Sequence, residues 1–224
     1  MNSSKKKILV VALLVCFVAI ISAGSLAWFT ASEDVTNEFF VGTTDDNTSA
    51  DDVFGVDVWE KDENGNVIGK DTDPDGIEYT DILPGDVLKK EPYFENTGVH
   101  PQYLRATVTV SSGEIIKTAM GNEWNKPATL FNGFDGNLWL GDGVTYDATN
   151  DKLVYVFYYK KVLEANTSSS ALFTDVVIPA ALTLEQAQSI AGDMFTVNVL
   201  GEVIQSENLP NATDAKSAFE LYWD

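Results

Sequence analysis

Residues 103–110 read YLRATVTV, and this stretch indicates the fold more clearly than any other part of the chain. Leu104, Ala106, Val108 and Val110 lie at every second position. Successive side chains of an extended strand point to opposite faces of a sheet, so this spacing predicts a strand with one buried face. Such a strand needs a second layer to cover its apolar side.

Similar segments occur on both sides of this strand. Alternating, β-branched or aromatic composition predicts further strands at residues 35–41, 53–62, 66–68, 87–94, 152–161, 171–179 and 195–205. Asn64-Gly65 stands between two of these runs and predicts a hairpin. Residues 152–161 are apolar on both faces and are therefore expected at the centre of a sheet. Residues 121–150, rich in Gly, Asn and aromatic side chains, receive no assignment.

Short helices are expected at three places. Residues 112–120 fit one, and Thr183 followed by Gln186 is the pattern of a capping box that begins another, ending near residue 191. Residues 212–223 place apolar side chains at helical spacing, with Asn211 or Thr213 as the expected cap. Many short strands and few helices predict an all-β fold, an antiparallel β-sandwich with a few short peripheral helices.

Residues 1–27 have the layout of a secretory signal peptide. Three lysines precede an uncharged apolar run at 8–21, and small residues continue to Ala27. We expect cleavage after Ala27, so that the mature chain begins at Trp28 and is secreted. The alternative is an uncleaved membrane anchor, because residues 8–29 are long enough to cross a bilayer.

The composition is strongly acidic. The chain has 34 acidic and 14 basic residues, for a formal net charge of −20. Removal of residues 1–27 leaves 11 basic residues against the same 34 acids, so the net charge becomes −23. This charge repels nucleic acid and anionic membranes, and membrane contact is expected only through an uncleaved signal segment. The only cysteine, Cys16, is lost with the signal peptide, so we expect no disulfide.

The stretch DTDPDG offers a weak calcium site. Asp71, Asp73 and Asp75 alternate before Gly76, which is the order found at the start of calcium-binding loops. Position twelve of such a loop is Ile82 rather than a bidentate Glu, so the pattern is incomplete. The alternative is an acidic turn between strands. We expect no other cofactor.

No catalytic residue is expected. A zinc peptidase of the H-E-x-x-H type needs two histidines, and His100 is the only histidine in the chain. A cysteine nucleophile is missing after processing. Pairs of carboxylates are abundant, but nothing in the sequence selects one. We therefore expect His100 to be structural.

Four stretches together resemble one family. They are GSLAWFTASEDVTNEFFVG (24–42), LPGDVLKKEPYFENTG (83–98) with the following YLRATVTV, VYVFYYKKVLEANTSSSALFTDVVIP (154–179), and FTVNVLGEVIQSE (195–207) with the later residues 215–223. Their order and spacing are similar to those of the TasA/camelysin family, whose members include biofilm-matrix fibre subunits of Gram-positive bacteria. Residues 43–52 and 121–150 lie outside the resemblance.

The resemblance implies a jelly-roll form of the sandwich and processing by a SipW-type signal peptidase. It also implies assembly with copies of itself into fibres of the extracellular matrix or cell surface, each subunit lending an N-terminal strand to the next. An accessory fibre-anchoring protein is a further partner that it suggests. Part of the family is labelled metallo-endopeptidase, so a camelysin-type secreted peptidase is an alternative function.

The N-terminal segment suits strand donation. Residues 28–42 carry the expected donor side chains, which are Trp28, Phe29, Val35, Phe39, Phe40 and Val41. The acidic linker at 43–52 has ten residues and could span roughly 30 Å when extended. The sandwich domain then comprises residues 53–224. In an isolated chain, we expect the segment to fold back as the first strand of its own sandwich.

A monomeric surface-binding module is a further alternative. Such a module would use exposed aromatic side chains, and Trp124, Phe131, Phe134 and Trp139 are candidates. The same residues could instead belong to the core, because aromatic side chains supply much of the buried area of a sandwich.

Overall fold

The strand predicted at residues 103–110 lies in the middle of a five-stranded antiparallel sheet. The computed structural model describes residues 30–35, 55–61, 64–69, 82–192 and 195–222. In spatial order the sheet contains β1 (Thr30–Val35), β11 (Val197–Gln205), β6 (Gln102–Val110), β9 (Lys152–Tyr159) and β8 (Trp139–Asp147). Neighbours lie on both sides of β9, so its predicted central position is confirmed.

A second layer is formed by two short sheets joined through the backbone. One contains β3 (Val67–Ile68), β2 (Val56–Lys61) and β5 (Glu91–Asn96); the other contains β4 (Val87–Lys89), β10 (Asp175–Val177) and β7 (Phe131–Asn132). Residues 166–174 follow β5 in the antiparallel direction: the Asn96 N–H donates to Thr167 O at 2.9 Å, and the Ser169 N–H donates to Phe94 O at 2.7 Å. These bonds connect the two short sheets into one layer.

The core lies between the layers. In β6 the inward residues Leu104, Ala106, Val108 and Val110 are fully buried, as their alternation predicted. In β9 the inward residues Leu153, Tyr155 and Phe157 are fully buried as well. Across the interior, Val58 and Phe94 pack close to Gly201 of β11. Phe131 stacks on Phe173 with ring centroids 4.4 Å apart. The chain is therefore an all-β protein with two facing antiparallel layers.

Helices lie at the periphery of the sheets. They are α1 (Gly113–Met120), a single-turn helix α2 (Pro127–Leu130), α3 (Leu184–Gly192) and α4 (Ala215–Tyr222). The capping box of α3 is confirmed, because the Gln186 N–H donates to Thr183 Oγ1 and the Thr183 N–H donates to Gln186 Oε1. The expected cap of α4 is wrong: Asp214 accepts a hydrogen bond from the Ser217 N–H at 2.8 Å, so the helix begins after Asp214.

Other segments differ from the predictions in extent. The strand predicted at 35–41 coincides with β1 only at Val35, and residues 36–41 lie outside the described residues. The unassigned region 121–150 contains β7 and the whole of β8. The hairpin at Asn64-Gly65 is confirmed, with Lys61 opposite Val67 and a positive φ of 83° at Gly65.

Candidate assembly edge

The N-terminal strand covers one edge of the larger sheet. β1 pairs with β11 in antiparallel register, from Thr30 opposite Ile204 to Val35 opposite Val199. Its other side has no strand neighbour among the described residues. β1 also contacts β2 of the facing layer. It therefore closes the sandwich at this edge.

The strand beneath it is long and regular. β11 pairs with β6 over nine consecutive residues without a bulge. Gly201 lies at the middle of β11, opposite Glu33 of β1. A Cβ atom at Gly201 would lie 2.9 Å from Phe94 Cδ1 and 3.0 Å from Val58 Cγ2, so glycine permits the facing layer to approach closely. Without β1, this strand would present a straight row of unpaired N–H and C=O groups.

The other sheet edges, among the described strands, are less suited to pairing with an added strand. β8 forms the far edge and has a register shift between Gly141 and Gly143. Asp142, within this irregularity, forms an ion pair with Lys216 of α4. The second layer ends in β3 and β7, which have two residues each. Bulges, charges and very short strands all hinder edge-to-edge pairing. Among the described strands, β11 would therefore be the long regular edge if β1 were to leave it.

The C-terminal helix α4 packs on the outer side of β6 and β9 and reaches Ile204 of β11. Arg105, the only arginine of the chain, donates two hydrogen bonds to Glu202 of β11, at 2.8 and 3.1 Å. The Phe219 ring of α4 lies 4.6 Å from the guanidinium carbon. Tyr158 and Ile204 join Phe219 in a small buried apolar cluster. These contacts fix the position of the strand that receives β1.

A buried ion pair ties together two strands of the facing layer. Lys90 Nζ lies 2.5 Å from Glu60 Oε1, and each side chain is only 5% exposed. Glu60 is on β2, whereas Lys90 lies between β4 and β5. Burying two charges is costly unless they are paired, so this contact favours one relative position of the two strands. The sequence did not reveal it, because Glu and Lys in strands are usually exposed.

Among the predicted site residues, the described part of the chain contains Val35. Val35 is placed, opposite Val199 at the end of β1. The others lie outside the described residues; they are the cleavage residues Ala27 and Trp28, the donor residues Phe29, Phe39, Phe40 and Val41, and the calcium candidates Asp71, Asp73 and Asp75.

The candidate aromatic residues belong to the core or pack against it. Phe131 and Trp139 are almost fully buried. Trp124 and Phe134 are half-buried against the same cluster. The core interpretation is therefore confirmed for Phe131 and Trp139, whereas Trp124 and Phe134 are partly exposed at the border of the core.

The surroundings of His100 show one backbone contact. His100 lies in an exposed bend, and its carbonyl oxygen accepts a hydrogen bond from Asn96 Nδ2 at 2.8 Å. Within the described ranges, no three His, Cys, Asp or Glu side chains are grouped so that they could hold a metal ion. The helices of the same ranges include none that is long and apolar enough to span a membrane.

Comparison with protein-family models, curated proteins and solved structures finds no match to this chain. The resemblance to the TasA/camelysin family thus rests on the four sequence stretches alone.

Proposed function

We propose that the protein is a secreted structural subunit that assembles into biofilm-matrix or cell-surface fibres by donating its N-terminal strand to the next copy. The observation that carries this proposal is the pairing of β1 with β11. An N-terminal strand covers the one long regular edge of the described sheets, while the opposite edge is bulged. A jelly-roll form of the sandwich belongs to the same proposal.

The same residue pairs can serve within one chain and between chains. Six residues of β1 are in register with β11. If a neighbour supplied an identical strand, every backbone hydrogen bond would be recovered, so exchange costs little in pairing energy. Because donor and acceptor are different surfaces, the exchange is heterologous, and it extends into a filament unless it closes into a ring.

The linker at 43–52 keeps each donor strand close to its own acceptor, and this limits exchange between copies. A strand tethered to its own acceptor has an effective concentration of about millimolar. Donation between copies therefore competes well only at high local concentration, or on a filament end whose acceptor is already empty. We expect assembly to depend strongly on protein concentration, to start slowly and to be accelerated by preformed fibres.

A free N-terminus is part of this mechanism. Cleavage after Ala27 would release Trp28 as the first residue of the donor segment, whereas an uncleaved segment would tether it to the membrane. Mass spectrometry of the secreted protein tests this step. A mature chain that still contains residues 1–27 would contradict it.

Electron microscopy of the secreted protein, with and without residues 28–42, tests the function. We expect fibres from the chain that starts at Trp28. A chain that starts at Asp51 should remain soluble and monomeric, because it retains the acceptor edge and lacks the donor. A synthetic peptide of residues 28–42 should bind this shortened chain, and a scrambled peptide of the same composition should not. Fibres of normal morphology from the shortened chain would show that this segment is not the donor.

A further inference from the structure

The outer face of the larger sheet carries an area without charge. Asn198, Thr109, Val154 and Thr145 lie directly opposite one another across β11, β6, β9 and β8. Their inward neighbours on β11, β6 and β9 are buried in the core, so these side chains point to the outside. They form one uncharged row that crosses four strands.

A second row has the same character. Leu200 lies opposite Thr107, and Thr107 lies opposite Val156, which is partly covered by the α4 cluster. We call the accessible part of the two rows the uncharged face; it consists of Thr107, Thr109, Thr145, Val154, Asn198 and Leu200. Its residues are half-buried or exposed.

Charged residues border this face. Lys152 lies opposite Asp147 at one end of β9. At the other end, Arg105 and Glu202 form their ion pair beneath Phe219. The uncharged face thus lies between these charged pairs, includes part of β11, and is bordered on the β1 side by Asp34, which lies directly opposite Leu200.

The outer side of the facing layer is different. Asp57 and Lys61 occupy outward positions on β2, directly opposite Glu95 and Glu91 of β5. In the described part of the chain, the outer side of β2 and β5 has these charged pairs on either side of the stacked rings of Trp59 and Tyr93, whereas the uncharged rows of the larger sheet cross four strands. A need for solubility does not explain this difference, because charged side chains on the outside of a sheet serve solubility equally well on either layer.

Net charge limits how two copies can meet. With a formal net charge of −20, two chains repel each other, and contact between acidic surfaces places like charges together. A face without charge avoids this direct repulsion. Threonine and valine side chains on a sheet also present a flat surface that can pack against a similar one.

We propose that the uncharged face packs against the same face of a second copy of this chain, joining neighbouring fibres side by side. The strength of this contact rests on the proposed function, because a single contact is small and only a fibre repeats it. Four strands at about 4.8 Å spacing and two rows about 7 Å apart give a face on the order of 200 Å². A stable pair of proteins buries roughly 800 Å² on each partner. One contact is therefore weak, and repetition along two fibres makes it effective.

Substitutions at Thr109 separate this contact from general electrostatic effects. Thr109→Lys makes the net charge less negative. If repulsion between the net charges alone determined association, this variant would associate more strongly. We expect the opposite: single fibres in place of laterally paired ones, as seen by electron microscopy. Thr109→Val keeps the face uncharged and should retain pairing. Circular dichroism establishes that both variants are folded. Lateral pairing by Thr109→Lys equal to that of the unaltered chain would overturn the proposal.

A cysteine experiment distinguishes this contact from strand donation. Thr109→Cys in the secreted full chain should form disulfide-linked dimers under mild oxidation, and Asp57→Cys on the charged outer surface is the matched control. Preferential cross-linking at 109 supports the contact, whether or not fibres form. If it occurs without fibres, only strand donation is contradicted. Cross-linking at 109 that does not exceed cross-linking at 57 refutes the contact, even if fibres form.

Discussion

Replacing Gly201 by alanine tests the close approach of the two layers at the acceptor strand. The added Cβ would lie 2.9 Å from Phe94 Cδ1, 3.0 Å from Val58 Cγ2 and 3.2 Å from Phe94 Cε1. Phe94 is fully buried, and its ring packs against Trp139 with centroids 5.5 Å apart. The ring therefore has little room to move away from the new methyl group.

The expected cost follows from two opposing effects. Overpacking a core position costs about 1–3 kcal/mol. Replacing glycine within a strand returns about 0.5–1 kcal/mol, because the unfolded chain has fewer conformations to lose. We therefore expect Gly201→Ala to lower the free energy of unfolding by about 1 kcal/mol. For a domain of this size, the midpoint of thermal unfolding should fall by roughly 2–4 °C.

Thermal unfolding of the full chain followed by circular dichroism measures this change. Gly136→Ala is the matched control, because a Cβ at position 136 would lie 4.0 Å from Phe134 Cε1, and it should leave the midpoint unchanged or slightly raised. In a Phe94→Leu background the alanine at 201 should cost less, because the ring atoms that it meets are gone. The packing explanation is refuted if Gly201→Ala is as stable as the control, or if its cost is the same in both backgrounds.

The buried ion pair, a helix cap and one tyrosine give further tests. Glu60→Leu leaves Lys90 as a buried charge, and the free energy of unfolding measured with urea should fall by about 3–5 kcal/mol. Adding Lys90→Met should recover most of this loss, and a double variant as unstable as the single one would contradict this. Thr183→Ala removes the cap of α3 and should cost about 1 kcal/mol by the same measurement, while Thr183→Ser should not. Burial and a hydrogen bond to Glu91 raise the pKa of Tyr93 from 10.0 to about 12. The neutral phenol therefore stabilises the fold below pH 10, and this stability is lost between pH 10 and 12. In Tyr93→Phe, the free energy of unfolding should fall less across that range.

Local patterns were sufficient for some elements and misleading for others. The capping box of Thr183 and Gln186 depends on residues three apart, so it could be recognised directly. The start of α4 could not, because Asn211, Thr213 and Asp214 are all good caps and only the structure pairs Asp214 with Ser217. The strand β8 was missed because Gly141 and Gly143 break its alternation at the bulge.

The assembly edge depends on contacts that are distant in sequence. The sequence marked residues 28–42 as a donor, but it contained no indication of the acceptor. Thr30 meets Ile204 only because the sheet brings the two ends of the chain together. The uncharged face is distributed in the same way over four strands, and its common property becomes visible only when Thr109 is seen between Asn198 and Val154.

The order in which a ribosome makes this chain gives the β1–β11 pairing a temporal consequence. β1 ends at Val35, whereas its partner strand extends to Gln205, so the strand made first must wait for one of the last. At about 5–20 residues per second, the intervening 170 residues take roughly 8–34 s to synthesise. During that interval β1 has no β11 of its own to pair with. Until β11 has been made, the chain cannot close its own sandwich at this edge.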